Sequence, residues 1–397
     1  MTKRKRRETK AKPTEHQPQD QRHEHQKKQK QLEKEEQHSR RCRLPACKSY
    51  IAADKRPMRS VSTSTHTLSQ MKRIFTRDGF ICVRQLVPTS AVTKARNFVL
   101  DALRHDGFVD PASRDTISSN NNNDSVTVTS PNLLRRRDIA FSPAVAGATM
   151  HLNIVELIAV LLEDTSTNND DSNNAMVSQF PPPNPDFPAV SQVPHAWLRA
   201  VGHGQSTGPH VDRVYLGAGS QNVLTVWMPL TRVDIARGAL CVAPTSHTGS
   251  AFARLRDEYG SVPAGKDGTV SGWVTEFPHC IASKYGIKVS GGLDDDDSND
   301  DESICESGYE CGVKNEEDLE NISENNYEED STEHDNSEIR WVTRNFELGD
   351  VVIFGLDLLH LTLNNTTDKW RISCETRWQP TGDPYPPFFH SANPSNV

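Results

Sequence analysis

The stretch Gly349-Asp350-Val351-Val352-Ile353-Phe354-Gly355-Leu356-Asp357-Leu358-Leu359-His360-Leu361-Thr362-Leu363 is followed by Asn364-Asn365-Thr366-Thr367-Asp368-Lys369-Trp370 and then by Arg371-Ile372-Ser373-Cys374-Glu375-Thr376-Arg377-Trp378. Gly349-Asp350 reads as a turn, and the apolar, β-rich run after it has the composition of a buried strand. Asn364–Asp368 is a turn cluster, because Asn, Thr and Asp bond their own backbone. Two strands around such a cluster predict a hairpin. With the turn centred between Asn365 and Thr366, His360 and Arg371 stand opposite each other, and opposed residues share a face of a sheet.

Working outward, runs of the same kind recur at 196–201, 222–229, 239–243 and 339–346. Helical periodicity comes earlier. Thr67–Arg77 predicts a short helix stopped at Asp78-Gly79, with a strand at Phe80–Val83. Pro88 opens a helix to about His105, with Val92, Ala95, Val99 and Leu103 on one face. Pro143–Glu163 predicts a third, with Val145, Ala148, Leu152, Val155 and Ala159 at three- and four-residue steps. Helices followed by many short strands predict a mainly β fold with flanking helices, a sandwich or jelly roll.

The whole chain has 397 residues, a net charge of -8 and only 35% hydrophobic residues, below the 45–50% or so of a globular domain. The shortfall is localised. Residues 1–60 carry a charge of +11 and residues 294–338 one of -19. The expectation is a disordered basic tail over 1–66, then a domain over 67–390 interrupted by disordered insertions at about 113–130, 164–188 and 291–338. Lys3-Arg4-Lys5-Arg6-Arg7 suits an import signal or a solvated tail. No window approaches a membrane span and no apolar segment follows the N-terminus. Eight cysteines with no paired spacing suit reduced thiols. These features predict an intracellular protein, cytoplasmic or nuclear, with no membrane or nucleic-acid partner.

The sharpest chemical signal is Pro209-His210-Val211-Asp212. On an extended chain His210 and Asp212 point the same way, which supplies two-thirds of a two-histidine, one-carboxylate site for non-haem Fe(II). A lone His-x-Asp arises by chance in a chain with 15 histidines. His360 offers the third ligand, and Arg371 beside it can clamp a carboxylate in bidentate fashion. A metal next to a carboxylate clamp suits a keto-acid such as 2-oxoglutarate.

These elements together resemble the phytanoyl-CoA dioxygenase family of Fe(II)/2-oxoglutarate-dependent oxygenases. The matching segments are His210/Asp212, Trp227-Met228-Pro229-Leu230, Gly238-Ala239-Leu240 with Ser246-His247, Gly349–Phe354, and His360 followed eleven residues later by Arg371; Phe75–Phe80 resembles the family's opening helix-to-strand step. The likeness spans about residues 67–382. It implies a double-stranded β-helix of cupin-like type, with Fe(II) held by His210, Asp212 and His360 as the catalytic centre. It further implies 2-oxoglutarate held by Arg371 and Thr362, with O2 as second cosubstrate and succinate and CO2 released. Because Asp212 fills the position that is Ala or Gly in related iron halogenases, the resemblance implies oxidation of a small-molecule substrate by hydroxylation and not halogenation, with desaturation left open beside it.

Other residues are weighed on position. Thr225 and Trp227 alternate on one strand and either line the cosubstrate pocket or pack the core. Arg199 is a lone charge in a β-rich run, a candidate for the substrate pocket that either binds a substrate or cosubstrate carboxylate or sits on a sheet edge. Ser373, Glu375 and Arg377 share Arg371's face by parity and predict a polar pocket for substrate. His247 is expected to be structural, and His195, His203 and His279 have no partner at metal spacing. The monomer is the expected state. Two other functions fit parts of the pattern: a catalytically inactive β-barrel scaffold acting as a nuclear or interaction protein, and a zinc hydrolase, which would have no use for Arg371.

Overall fold

A computed structural model of the chain describes residues 56–118, 131–163, 190–264, 272–275, 278, 280–289 and 338–386. The basic run at 3–7, the tail up to residue 55, the stretches 119–130, 164–188 and 290–337, and His279 lie outside the described residues. The strands are β1 (Arg56–Pro57), β2 (Phe80–Val83), β3 (Val190–Val201), β4 (Thr207–His210), β5 (Leu224–Pro229), β6 (Leu240–Val242), β7 (Lys288–Val289), β8 (Glu338–Ile339), β9 (Val342–Thr343), β10 (Val351–Gly355), β11 (His360–Thr362) and β12 (Arg371–Pro380). The helices that matter here are α1 (Leu68–Asp78), α2 (Thr89–His105), α3 (Pro143–Thr149), α4 (Leu152–Leu162) and α5 (Arg213–Leu216).

Ten strands form two five-stranded sheets, one in the order β2-β10-β5-β12-β3 and the other β1-β9-β6-β11-β4. Side chains on a strand alternate between faces, and the clusters of buried residues follow that alternation. Ile81, Val83, Val226, Met228, Val351, Ile353, Ile372 and Cys374 pack with Met71, Val92, Val99, Leu103, Val145, Ile154 and Leu157 of the helices. Their neighbours Phe80, Cys82, Trp227, Val352 and Phe354 pack instead with Leu240, Val242 and Val342 of the second sheet. One face of the first sheet is therefore covered by helices, and the other faces the second sheet.

Local chemistry sets the helix ends. Thr67 and Gln70 form a reciprocal capping box at the start of α1, which satisfies two otherwise unbonded amides. The helix predicted over Pro143–Glu163 is two helices. His151 has an extended backbone and its ring accepts the Asn153 N–H at 3.3 Å, so it starts a new helix where the apolar spacing alone continues the old one. No single helix among the described residues is long and apolar enough to cross a membrane.

Gly349 shows why the turn before β10 is built as it is. Its φ is +97°, and a Cβ there would lie 2.3 Å from the Val87 carbonyl oxygen. The adjoining Asp350 is fully buried, bonds Arg84 at 3.0 Å and accepts the Gln85 and Glu347 amides.

Three sequence expectations are corrected. The folded part starts before residue 67: Arg56–Pro57 pairs with β9, and Met58 and Val61 are buried. Isolated apolar residues in a polar stretch carry no periodicity, so they escape pattern reading. Residues 113–118 are also ordered, since Ile117 bridges Val109 and Thr116 bridges Lys369. Finally, β11 and β12 are not a hairpin. β11 pairs with β4 and β6, while β12 pairs with β3 and β5. The chain crosses from one sheet to the other through 363–370. Asn365 holds this crossover by donating to the Val201 and Lys369 carbonyls at 2.9 and 2.8 Å.

Candidate metal centre

His210 ends β4 and His360 begins β11, and the two are paired residues across those antiparallel strands. Their ring centroids are 4.1 Å apart. Asp212 lies just past the end of β4, at the N-cap of α5, with φ -66° and ψ -20°. It is therefore a turn, not an extended strand, that brings Asp212 round to His210. The Nε2 atoms of His210 and His360 lie 3.8 and 3.9 Å from Asp212 Oδ1. The three residues are buried, and one ligand atom from each lies within 4.8 Å of the others.

The protonation pattern follows from the hydrogen bonds. His210 Nδ1 donates to the Gly208 carbonyl at 2.8 Å, and His360 Nδ1 donates to the Leu358 carbonyl at 2.9 Å. A carbonyl only accepts, so each ring carries a proton on Nδ1 and turns its Nε2 toward Asp212. Burial, and then the nearby His360, push His210 down to about 3, so its ring is neutral at physiological pH. Burial works to raise the Asp212 carboxyl, but Arg377, His360, His210 and the Thr225 hydroxyl outweigh it and keep Asp212 ionised. Two imidazole nitrogens and one carboxylate converging in a water-poor site are the donor set of a divalent transition metal, with the orienting backbone bonds such ligands use.

Asp212 is held from behind. Thr225 donates its hydroxyl to Oδ2, and Arg377 Nη2 lies 3.0 Å from Oδ2 and 3.3 Å from Oδ1. Arg377 is fixed in turn by Glu375 at 2.8 Å and by stacking over Trp197, 4.1 Å from guanidinium carbon to ring centroid. His360 is positioned through its neighbour: the buried Ser246 hydroxyl accepts the Leu359 N–H at 2.8 Å and donates to the Ala243 carbonyl.

Arg371 faces the same interior from the other sheet. It is fully buried, and its Nη1 donates to the Gly238 carbonyl at 2.8 Å. Gly238 has φ +84°, and a Cβ there would lie 2.8 Å from the Leu363 carbonyl oxygen, so only glycine presents that carbonyl. Burial, then Arg199, pull the guanidinium down to about 9, against Glu375; it remains a cation at neutral pH. Its Nε and Nη2, the Ser373 hydroxyl and the Trp227 indole N–H have no hydrogen-bond partner among the described residues, although all are shut off from solvent. Buried donors without acceptors are costly. Between the sheets they fit a carboxylate-bearing ligand, which meets the demand of 2-oxoglutarate.

The sequence-predicted residues are brought together in part. His210, Asp212 and His360 converge as expected. Arg371 shares their interior but from the opposite sheet, so the predicted His360–Arg371 pairing is wrong. Thr225 bonds Asp212, and Trp227 is buried with its ring 4.9 Å from Phe346. The Thr362 hydroxyl accepts the Thr207 N–H at 2.8 Å and ties β11 to β4. Ser373, Glu375 and Arg377 do face inward with Arg371, yet Arg377 is occupied by Asp212, which parity alone does not reveal. His247 bonds the Thr76 carbonyl at 3.1 Å, at the end of α1, and His203 bonds the Thr367 carbonyl at 3.3 Å. His195 packs edge-on to Trp197. The positioning by Ser246 is not predicted; its only trace is the Ser-His pair itself.

The family model described as Phytanoyl-CoA dioxygenase (PhyH) matches residues 75–373. No curated protein matches the chain. Solved structures with similarity include the non-heme alpha ketoglutarate dependent carbocyclase SnoK from nogalamycin biosynthesis, 14% identical over 86% of this chain and 94% of that one, with a TM-score of 0.46. AviO1 from Streptomyces viridochromogenes Tue57 is 13% identical over 81% and 99%, with a TM-score of 0.40. EctD from S. alaskensis is 13% identical over 82% and 83%, with a TM-score of 0.40.

Proposed function

The chain belongs to the phytanoyl-CoA dioxygenase family of iron- and 2-oxoglutarate-dependent oxygenases, and from that membership we propose that it hydroxylates a C–H bond of a small-molecule substrate. His210, Asp212 and His360 would hold Fe(II), and Arg371 would take the distal carboxylate of 2-oxoglutarate. Fe(II) held there would supply, with 2-oxoglutarate and O2, the oxidant for C–H cleavage, succinate and CO2 being the by-products. We read the fold as the double-stranded β-helix typical of such enzymes.

The protein's own contribution is orientation. Gly208 and Leu358 fix the two rings so that Nε2 is available. Arg377 and Thr225 hold Asp212 from one side, leaving Oδ1 toward the histidines. Phe354, whose ring centroid lies 4.5 Å from that of His360, and Trp227 keep the interior apolar and exclude water. Thr362 and Trp227 would line the cosubstrate pocket. With Asp212 in the carboxylate position, the product expected is an alcohol and not a chlorinated compound.

The observation that carries this reading is the pairing of two Nε2 atoms and an ionised carboxylate with a buried guanidinium that has N–H groups to spare. The test is succinate release by the purified chain with Fe(II), 2-oxoglutarate and pooled metabolites in chloride-containing buffer, followed by product mass. A metal-dependent +16 product supports it. Succinate release that ignores Fe(II), or a chlorine isotope pattern, refutes it.

A further inference from the structure

Trp197, Arg199 and Val201 of β3 stand opposite Glu375, Ser373 and Arg371 of β12. Opposed residues share a face, while Leu198 and Ala200 between them pack toward the helices. Arg199 therefore projects into the interior that holds Arg371 and the metal ligands, from the edge strand of its sheet.

Its pairing differs from that of the other two arginines. Arg377 is taken up by Asp212 and by Glu375, the latter at 2.8 Å. Arg371 is bonded to Gly238, and its Nε and Nη2 have no acceptor among the described residues. Among the described residues Arg199 reaches only Glu375, with Nε 3.6 Å from Oε1, beyond hydrogen-bonding distance. Its Nε is shut off from solvent and has no acceptor among the described residues. The side chain is 29% exposed and that of Glu375 13%, so Arg199 is the more solvent-accessible of the two.

The charges do not balance. Among the described residues of this interior, three guanidiniums (Arg199, Arg371, Arg377) face two carboxylates (Asp212, Glu375). A divalent metal and the dianion 2-oxoglutarate cancel each other, so one positive charge survives loading of the site. An uncompensated cation in a low-dielectric interior favours a ligand of opposite charge, and a planar guanidinium with free N–H groups is matched by an oxyanion. Resting on the oxygenase function above, we propose that the primary substrate carries a single oxyanion group, a carboxylate or a phosphate ester, which Arg199 binds while the carbon to be oxidised is presented to the metal. Glu375 acts as a positioning residue that holds Arg199 and Arg377 apart on either side of it.

The test uses the full chain loaded with Co(II) and 2-oxoglutarate without oxygen. Hexanoate, hexyl phosphate, hexanamide and hexylammonium are titrated by calorimetry. Hexanoate or hexyl phosphate should bind at least about tenfold more tightly than the neutral and cationic probes, the size of one charge-assisted contact; which of the two is tighter identifies the oxyanion. Arg199→Gln should abolish this preference and change 2-oxoglutarate affinity less than twofold, and Arg199→Lys should keep part of it, which guards against a folding defect. Equal binding of all four probes, unchanged anion binding in Arg199→Gln, or a tenfold loss of 2-oxoglutarate affinity in that variant overturns the proposal. Should the unsubstituted chain fail to bind 2-oxoglutarate, the oxygenase reading fails. The same titrations on the metal-free chain and on Arg199→Gln then decide the anion site alone.

Discussion

Arg377 and Asp212, 165 residues apart in the chain, form a buried ion pair in which Nη2 of the arginine touches both carboxylate oxygens, at 3.0 and 3.3 Å. The carboxylate is thereby oriented before any metal arrives. Thr225 stands opposite Arg377 on the adjoining strand and bonds the same oxygen, Oδ2. Oδ1 is thus the atom directed at the two Nε2 groups.

Removing a ligand should remove the metal. His210→Ala and Asp212→Ala are expected to lose Fe(II)-dependent turnover and to bind Co(II) far more weakly, since a facial site missing one donor loses both affinity and geometry. Metal titration by absorbance reads this directly. Full activity in either variant would sink the assignment.

The cosubstrate clamp should separate from the metal. Arg371→Ala is expected to raise the 2-oxoglutarate requirement by at least about tenfold while Co(II) affinity stays close to that of the unsubstituted chain. Arg371→Lys should rescue poorly, because an ammonium cannot reproduce a two-point guanidinium contact. A collapse of metal affinity would show that Arg371 mainly supports the fold around Gly238.

Arg377 should matter for stability and for the metal. Arg377→Met leaves Asp212 and Glu375 buried without their nearest cation, which costs about 3–5 kcal/mol. Metal affinity or activity should fall about 10–100-fold, as for other groups that orient a ligand. Thermal unfolding of the metal-free protein and a Co(II) titration measure the two effects. An unchanged melting temperature would mean that the ion pair contributes nothing.

His195 should make the fold acid-sensitive. Burial, and then Arg137, Arg377 and Arg199, push its imidazole down to about 4, whereas an unfolded histidine titrates near 6.5. The folded state keeps the ring neutral, so its contribution is intact above about pH 6.5 and is lost as the pH falls from there to about 4. His195→Gln should flatten the decline in melting temperature within that window and leave the rest of the profile in place. An identical profile counts against the prediction.

Deleting residues 300–330 should leave turnover and melting temperature nearly unchanged. The segment is acidic and poor in aromatic residues, so it has little apolar area to bury. Loop-closure cost varies by only about 0.6 kcal/mol per doubling of length, and the flanking residues still join the parallel strands β7 and β8. A large drop in melting temperature would show that the segment packs on the core.

The local elements and the candidate donor set are legible in the order of residues alone. α1 and β2 follow from a capping Thr and the Asp78-Gly79 stop, α2 from its apolar stripe, and β5, β6 and β10 from apolar runs between turn residues. The candidate metal ligands were legible because their residue types are chemically restricted, and the inward face of β12 because side chains on a strand alternate. Which strand lies beside which is settled by packing between distant segments. The link 363–370 is as polar as a hairpin turn, and nothing local distinguishes a turn from a crossover between sheets. That choice rests on remote contacts: Asn365 on Val201, Arg371 on Gly238, and Leu361 opposite Cys241. The partner of Arg377 was hidden for the same reason. Parity tells which way a side chain points, but the group it meets belongs to a segment more than a hundred residues away, brought there by the packing of two sheets.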